Sequence, residues 1–140
     1  MRYFAMPLLL AVVLFSFAGC CGSISEMTAP NRANLMNITV GMTKQQAIET
    51  IGTKPRKACY IDHAYNENII IISNPYRSEV MKGQNGNHYE IVYYVTDDKN
   101  LDGAISDDEL TPLVFQDNTL RGWGWKYLEE NVDKHELRIR

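Results

Sequence analysis

Histidine and cysteine are scarce in this chain, three of each in 140 residues, and their placing excludes more than their number does. His63, His88 and His135 stand apart, no two at metal-ligand spacing, which argues against a zinc centre. Cys59 and His63 lie four residues apart, a separation that brings side chains together on a helix but not on a strand. No neighbouring group would orient that pair, so the material for nucleophilic catalysis is thin and the expectation is a protein that is not an enzyme. Basic charge is not in surplus either: 14 Lys and Arg stand against 17 Asp and Glu, a formal charge of −3. That leaves no basic face for nucleic acid, and no nucleic-acid partner is expected. Internal repeats and low-complexity tracts are missing as well.

What the chain does possess begins at its N-terminus. MRYFAMPLLLAVVLFSFAGCC places Arg2 before an apolar run over residues 3–18, broken only by Pro7 and Ser16, and then small residues. This is the layout of a secretory signal, here residues 1–19. The run is shorter than the ~20 residues of a bilayer-spanning helix, and no basic stop-transfer cluster follows it. Phe17-Ala18-Gly19-Cys20 resembles the bacterial lipobox, which implies lipidation (palmitate among the acyl chains) on Cys20, with Cys21 the second choice. Several acyl chains hold a protein stably on a membrane where one alone binds marginally. By analogy with lipoprotein sorting, Cys21 rather than Asp after Cys20 implies a lipid anchor in the bacterial outer membrane, facing the periplasm. Residues 20–33, small, polar and proline-containing, read as the lipidated tether, and residues 34–140 as one domain. Two thiols would remain: Cys21 and Cys59 either form a disulfide in an oxidising compartment or leave Cys59 as a small buried hydrophobe.

Within the domain, Thr43 and Gln46 spell a capping box, Ala47, Ile48 and Ile51 an apolar face, Gly52 a C-cap and Pro55 a stop. They predict a short helix over 43–51, with a further helical turn upstream in ANLMNI. NIIIIS (68–73) is short and β-branched, and reads as a strand buried on both faces. NHYEIVYYVTD (87–97) reads as a second strand, with Asn85-Gly86 before it as a hairpin signal. TPLVF (111–115), QDNT and LRGWGW (120–125) read as a further hairpin. KYLEENVDKHELRIR closes the chain as a last short helix or a fraying end. The fold class expected is α+β, one or two short N-terminal helices packed on an antiparallel sheet of three to four strands.

LMNITVGMTKQQAIETIGTKP resembles the entry motif of the BamE/SmpA group of small outer-membrane lipoproteins, in which a Gly-Met-Thr helix start and a Gly-x-Pro helix end precede an antiparallel sheet. The resemblance covers residues 35–55 and implies the helix-then-sheet order; BamE itself helps the machine that inserts barrels into the outer membrane. ISNPYRSE (72–79) and LTPLVFQDNTLRGWGW (110–125) resemble an uncharacterised family of gammaproteobacterial lipoproteins.

The sharpest chemical motif is DKNLDGAISDDE, 98–109, which fits the calcium-loop template D-x-[DN]-x-[DN]-G-x₅-E. Six acids between Asp97 and Glu109 against Lys99 give this stretch a local charge of −5. Asp98, Asn100 and Asp102 would be ligands 1, 3 and 5, Gly103 the turn, the Ala104 carbonyl ligand 7, Ser106 ligand 9 through water, and Glu109 the bidentate ligand 12. Ile105 would pack inward. The flanks are not those of an EF-hand, since YEIVYYV alternates like a strand and Pro112 follows closely. A Ca²⁺ site here would be an EF-like loop inserted in a hairpin, with Kd on the order of 10⁻⁴–10⁻³ M; otherwise the stretch is a solvated acidic turn. On a strand, Trp123 and Trp125 would share one face and Gly122 and Gly124 leave the other bare, an aromatic patch for a protein or glycan partner unless both rings are buried. Arg77 offers an anion or partner contact beyond the Asn-Pro turn, or a surface ion pair.

Together these residues describe a non-enzymatic, periplasm-facing lipoprotein acting as a binding or scaffold module in envelope assembly or maintenance. It would hold the membrane through its lipid and contact an envelope protein or peptidoglycan. The alternative is a calcium-binding module centred on residues 98–109.

Overall fold

The computed structural model describes residues 25–61, 64–82, 87–99 and 103–131. Helices α1 (Ser25–Leu35) and α2 (Lys44–Ile51) come first, then strands β1 (Arg56–Ile61), β2 (Glu67–Ile72), β3 (Arg77–Lys82), β4 (His88–Val95), β5 (Leu110–Gln116) and β6 (Thr119–Trp123), and last α3 (Trp125–Asn131). Strands β3-β4-β5-β6 form an antiparallel meander, and β1 and β2 pair with each other in a separate hairpin. The class is α+β.

Helix α2 starts where its chemistry dictates. The Thr43 hydroxyl accepts the Gln46 amide while Gln46 Oε1 accepts the Thr43 N–H at 2.9 Å, so two of the helix's unsatisfied donors are satisfied reciprocally. Gly52, at φ 111°, ends it by giving its N–H to the Ile48 carbonyl. Ala47 and Ile51 then drop onto one face of the meander with Val92, Tyr94, Leu113, Phe115 and Leu120. The Lys44 ammonium meets Glu90 of β4 at 2.7 Å.

The opposite face, carrying Ile91, Tyr93, Val95 and Val114, is covered by Ala58, Ile70 and Ile72 of the hairpin and by Leu128 of α3. The sheet is thus a middle layer, which is why Ile91 through Val95 are all buried. Two-sided burial of a strand that reads as half-polar follows from having a layer on each face. Pro112 sits in this middle layer without breaking it. Its carbonyl takes the Gly124 N–H on the side where β6 has already ended, so its missing N–H leaves no ladder bond unmade. Asp117 and Asn118, at φ 51° and 62°, make the β5–β6 turn, the two-residue left-handed geometry that fits strand twist.

Two sequence expectations are corrected here. Residues 25–33, read as part of a tether, lie in helix α1, which has Thr28 and Asn31 buried. Asn31 holds it down: its amide donates to the Val95 carbonyl at 2.8 Å and exchanges hydrogen bonds with Asn74, whose amide also reaches the Gly52 carbonyl. That polar clasp closes over the ends of α2 and β4, a long-range tie that helical periodicity does not reveal. Strand β2, read as buried on both faces, is buried on one: Ile72 is 3% exposed, whereas Ile69 and Ile71 are 68% and 70% exposed. Among the described residues, only the inward face of the hairpin has a layer to pack on. The tail beyond Asn131 lies outside the described residues.

Candidate functional site

The loop between β4 and β5 is built around Glu109. Its side chain is 1% exposed, and Oε1 accepts the Lys99 N–H at 2.8 Å while Oε2 accepts the Ser106 N–H at 2.8 Å and the Ser106 hydroxyl at 3.0 Å. Its backbone carbonyl takes both the Thr96 and Asp97 amides, at 2.9 and 3.1 Å. The carboxylate is therefore an internal anion on which the two limbs of the loop close, with charge-assisted bonds stronger than neutral ones. The signal for this lies in Ser106-Asp107-Asp108-Glu109, a capping-box pattern that starts the 3-10 turn at Asp107–Glu109. The same two residues occupy positions 9 and 12 of the calcium template, and the structure uses them locally.

Asp97, Asp107 and Asp108 are also engaged within the chain. Asp108 takes the Ser106 hydroxyl at 2.5 Å and the Lys99 ammonium at 3.0 Å. Its carboxyl is held below the usual carboxylate range, first by the Ser106 hydrogen bond and then by Lys99, whose own pKa is raised chiefly by that hydrogen bond with Asp108. Asp97 accepts the Asp98 amide and lies 3.7 Å from Arg32. Gly103, at φ 77°, bears against the Tyr60 ring of β1, which stands 2.5 Å from where a Cβ would be. Ile105 packs inward against the core.

Glu109 is poorly disposed toward a calcium ion. Both oxygens of the would-be bidentate Glu109 face N–H groups, and a cation would have to displace those donors before binding there. Among the described residues no group of three or more His, Cys, Asp or Glu is gathered to hold a metal. Asn100 and Asp102, two of the proposed ligands, lie outside the described residues, while Asp98 and Ala104 lie on the loop's two limbs.

Arg77 faces this loop from β3. Its Nη2 meets Asp107 at 2.8 Å, its Cζ sits 4.4 Å over the Tyr93 ring, and its Nε lies 3.5 Å from Glu79, an ion pair too long to be a good hydrogen bond. The Tyr93 hydroxyl donates to Glu79 at 3.2 Å. Burial first, and Glu79 second, push the Tyr93 pKa up to about 12. Tyr93 continues into Trp125, ring centroids 5.9 Å apart, and Trp125 Nε1 donates to the Leu110 carbonyl at 2.7 Å. Tyr93 is the member of this chain that sequence reading missed. Cross-strand register supplies it, since Arg77 and Tyr93 are direct partners.

The aromatic patch does not form. β6 ends at Trp123, Gly124 turns the chain at φ 87°, and Trp125 opens α3. Trp123 is left 37% exposed while Trp125 packs inward. Gly122 is not bare either, because the Tyr127 ring lies 2.5 Å from where its Cβ would project.

Cys59, in the middle of β1, is disulfide-bonded. In register it stands opposite Ile69, and Lys57 stands opposite Ile71. Directly opposed residues share a face, so Cys59 and Lys57 belong to the outward, isoleucine-bearing side of the hairpin. Cys20 and His63 lie outside the described residues.

Fold and site together define a small three-layer α+β domain with an acidic loop closed on Glu109 and an outer hairpin on which Ile69 and Ile71 are exposed. The chain belongs to a family described as "Protein of unknown function (DUF3192)", whose sequence profile matches residues 23–130. No curated protein and no solved structure matches it significantly.

Proposed function

We propose that this domain is a non-enzymatic contact module of the bacterial envelope, anchored by lipid on Cys20 at the periplasmic face of the outer membrane. The observation that carries the reading is the disulfide at Cys59. Disulfides persist in oxidising compartments and are rare in the cytosol, which agrees with the secretory layout of residues 1–19. The cysteines then divide without remainder, Cys20 to lipid and Cys21 to Cys59. A bonded Cys59 also has no thiolate to offer as a nucleophile, which supports a binding or scaffold role, with an envelope protein or peptidoglycan as partner, over a thiol enzyme.

Labelling with radioactive palmitate, followed by membrane fractionation, tests this. The full chain should take up label and sediment with outer membranes, and Cys20→Ser should lose both properties. Label persisting in Cys20→Ser, or an unlabelled chain in the soluble fraction, would overturn the anchor.

A further inference from the structure

The outward face of the β1–β2 hairpin has a composition that interior packing does not explain. Ile69 and Ile71 project from it, and Tyr65, 92% exposed, stands near its tip. Lys57, exposed, stands on it near its other end, opposite Ile71, and Glu67 is the one acid placed on it among the described residues. A lysine beside exposed isoleucines, with a tyrosine at the boundary, suits an interface between headgroups and acyl chains.

The covalent connection points the same way. Cys59 lies on this face, register partner of the exposed Ile69, and is disulfide-bonded. The only other cysteines of the chain are Cys20 and Cys21. If Cys20 carries the lipid and Cys21 the bond, as in the function proposed above, the acyl chains start one residue from a covalent attachment to the isoleucine face. An anchor that close makes contact between this face and the bilayer an intramolecular event, so weak intrinsic affinity suffices.

We propose that the β1–β2 hairpin docks on the membrane surface through Ile69 and Ile71, with Lys57 against the headgroups. The domain then lies against the bilayer in one orientation. Its helical layer, on the other side of the sheet, faces away and is left to meet a partner.

The test uses the full chain purified with its lipid and returned to vesicles of phosphatidylethanolamine and phosphatidylglycerol. A photoreactive benzoyl-phenylalanine replaces Ile69, Ile71 or, as control, the exposed Gln45 of α2. Vesicle flotation is recorded first, and adducts are then identified by mass. Lipid adducts several-fold more abundant from positions 69 and 71 than from 45, and reduced by Lys57→Glu, would support the docking. A floating chain whose positions 69 and 71 give no more lipid adduct than 45 would overturn it and leave the anchor standing. Adducts from 69 and 71 to a second copy of the chain would overturn it in favour of self-association. A chain that does not float would sink the anchor and the docking together.

Discussion

Strands β2 and β4 are made of similar material and meet different fates. β4 (HYEIVYYV) has a neighbour on each edge and a layer on each face, and all five residues from Ile91 to Val95 are buried. Among the described residues β2 (ENIIII) has one neighbour and one covered face, so its burial alternates along its length. Composition made both strands; position among the layers decided what each buries. The apolar side chains of β4 stabilise the fold, whereas half of those of β2 are available for something outside it.

The largest effect that would sharpen this contrast comes from truncating each region. Phe115→Ala, on the doubly covered sheet, should cost about 3–5 kcal/mol in urea unfolding. Ile69→Ala, on the open face, should change stability by no more than about 0.5 kcal/mol. Equal costs would mean that the hairpin face is covered after all.

Next comes pH. Tyr93 and Tyr94 of the sheet have pKa values raised from 10.0 to about 12, Tyr93 by burial and then Glu79, Tyr94 by burial. The unfolded chain gives up these protons first, so their contribution is complete below pH 10 and is lost as pH rises toward 12. Thermal melts across that window should show the decline. Tyr94→Phe should reduce it, and should also stabilise the protein at neutral pH by about 1 kcal/mol, because the Tyr94 hydroxyl is buried without a hydrogen-bond partner. A pH profile unchanged by Tyr94→Phe would contradict the assignment.

The smallest effect concerns the loop that joins the regions, where Gly103 touches Tyr60 of the hairpin. Glu109→Gln sets an amide NH₂ against an N–H that now has an acceptor, and should speed amide exchange at Lys99 or Ser106 by about tenfold, for a local cost of ~1.4 kcal/mol. Calorimetry with Ca²⁺ up to ~10 mM, beyond the weak end of such loops, should show no binding heat. Millimolar binding abolished by Asp98→Ala would instead make residues 98–109 a cation site.

Helix α2 was legible because its boundaries are encoded locally, in Thr43, Gln46 and Gly52, and the β4, β5 and β6 segments because their β-branched and aromatic runs are set off by turns. Helix α1 was not, since SEMTAPNRA has no clear apolar face and a proline at position 30; its seat depends on Asn31 reaching Val95 and Asn74, far along the chain. β1 and β3 also escaped, for RKACYI and RSEVMK are mixed segments whose pairing partners impose the strand. At the site, Arg77 was recognised but Tyr93 was not, because their meeting depends on register. Residues 106 and 109 fit two templates at once, and a pattern of spacing has no way to rank a metal ligand against a capping bond; in the structure they make the capping bond. The tryptophan stripe failed on one backbone angle, that of Gly124.

Four isoleucines in succession also carry very little positional information. Slide β2 by one residue along β1 and Ile69 and Ile71 would turn inward where Ile70 and Ile72 now pack, with the apolar character of either face almost unaltered. Most strands are locked in place by the penalty of such a slip, which exposes the core side and buries the wet one; here that penalty nearly vanishes. The burden of choosing falls on β1, whose Ala58 faces in and whose Lys57 and Cys59 face out. The bond at Cys59 would then hold β1 with that side outward, and a reduced chain should turn the hairpin over more often than an oxidised one.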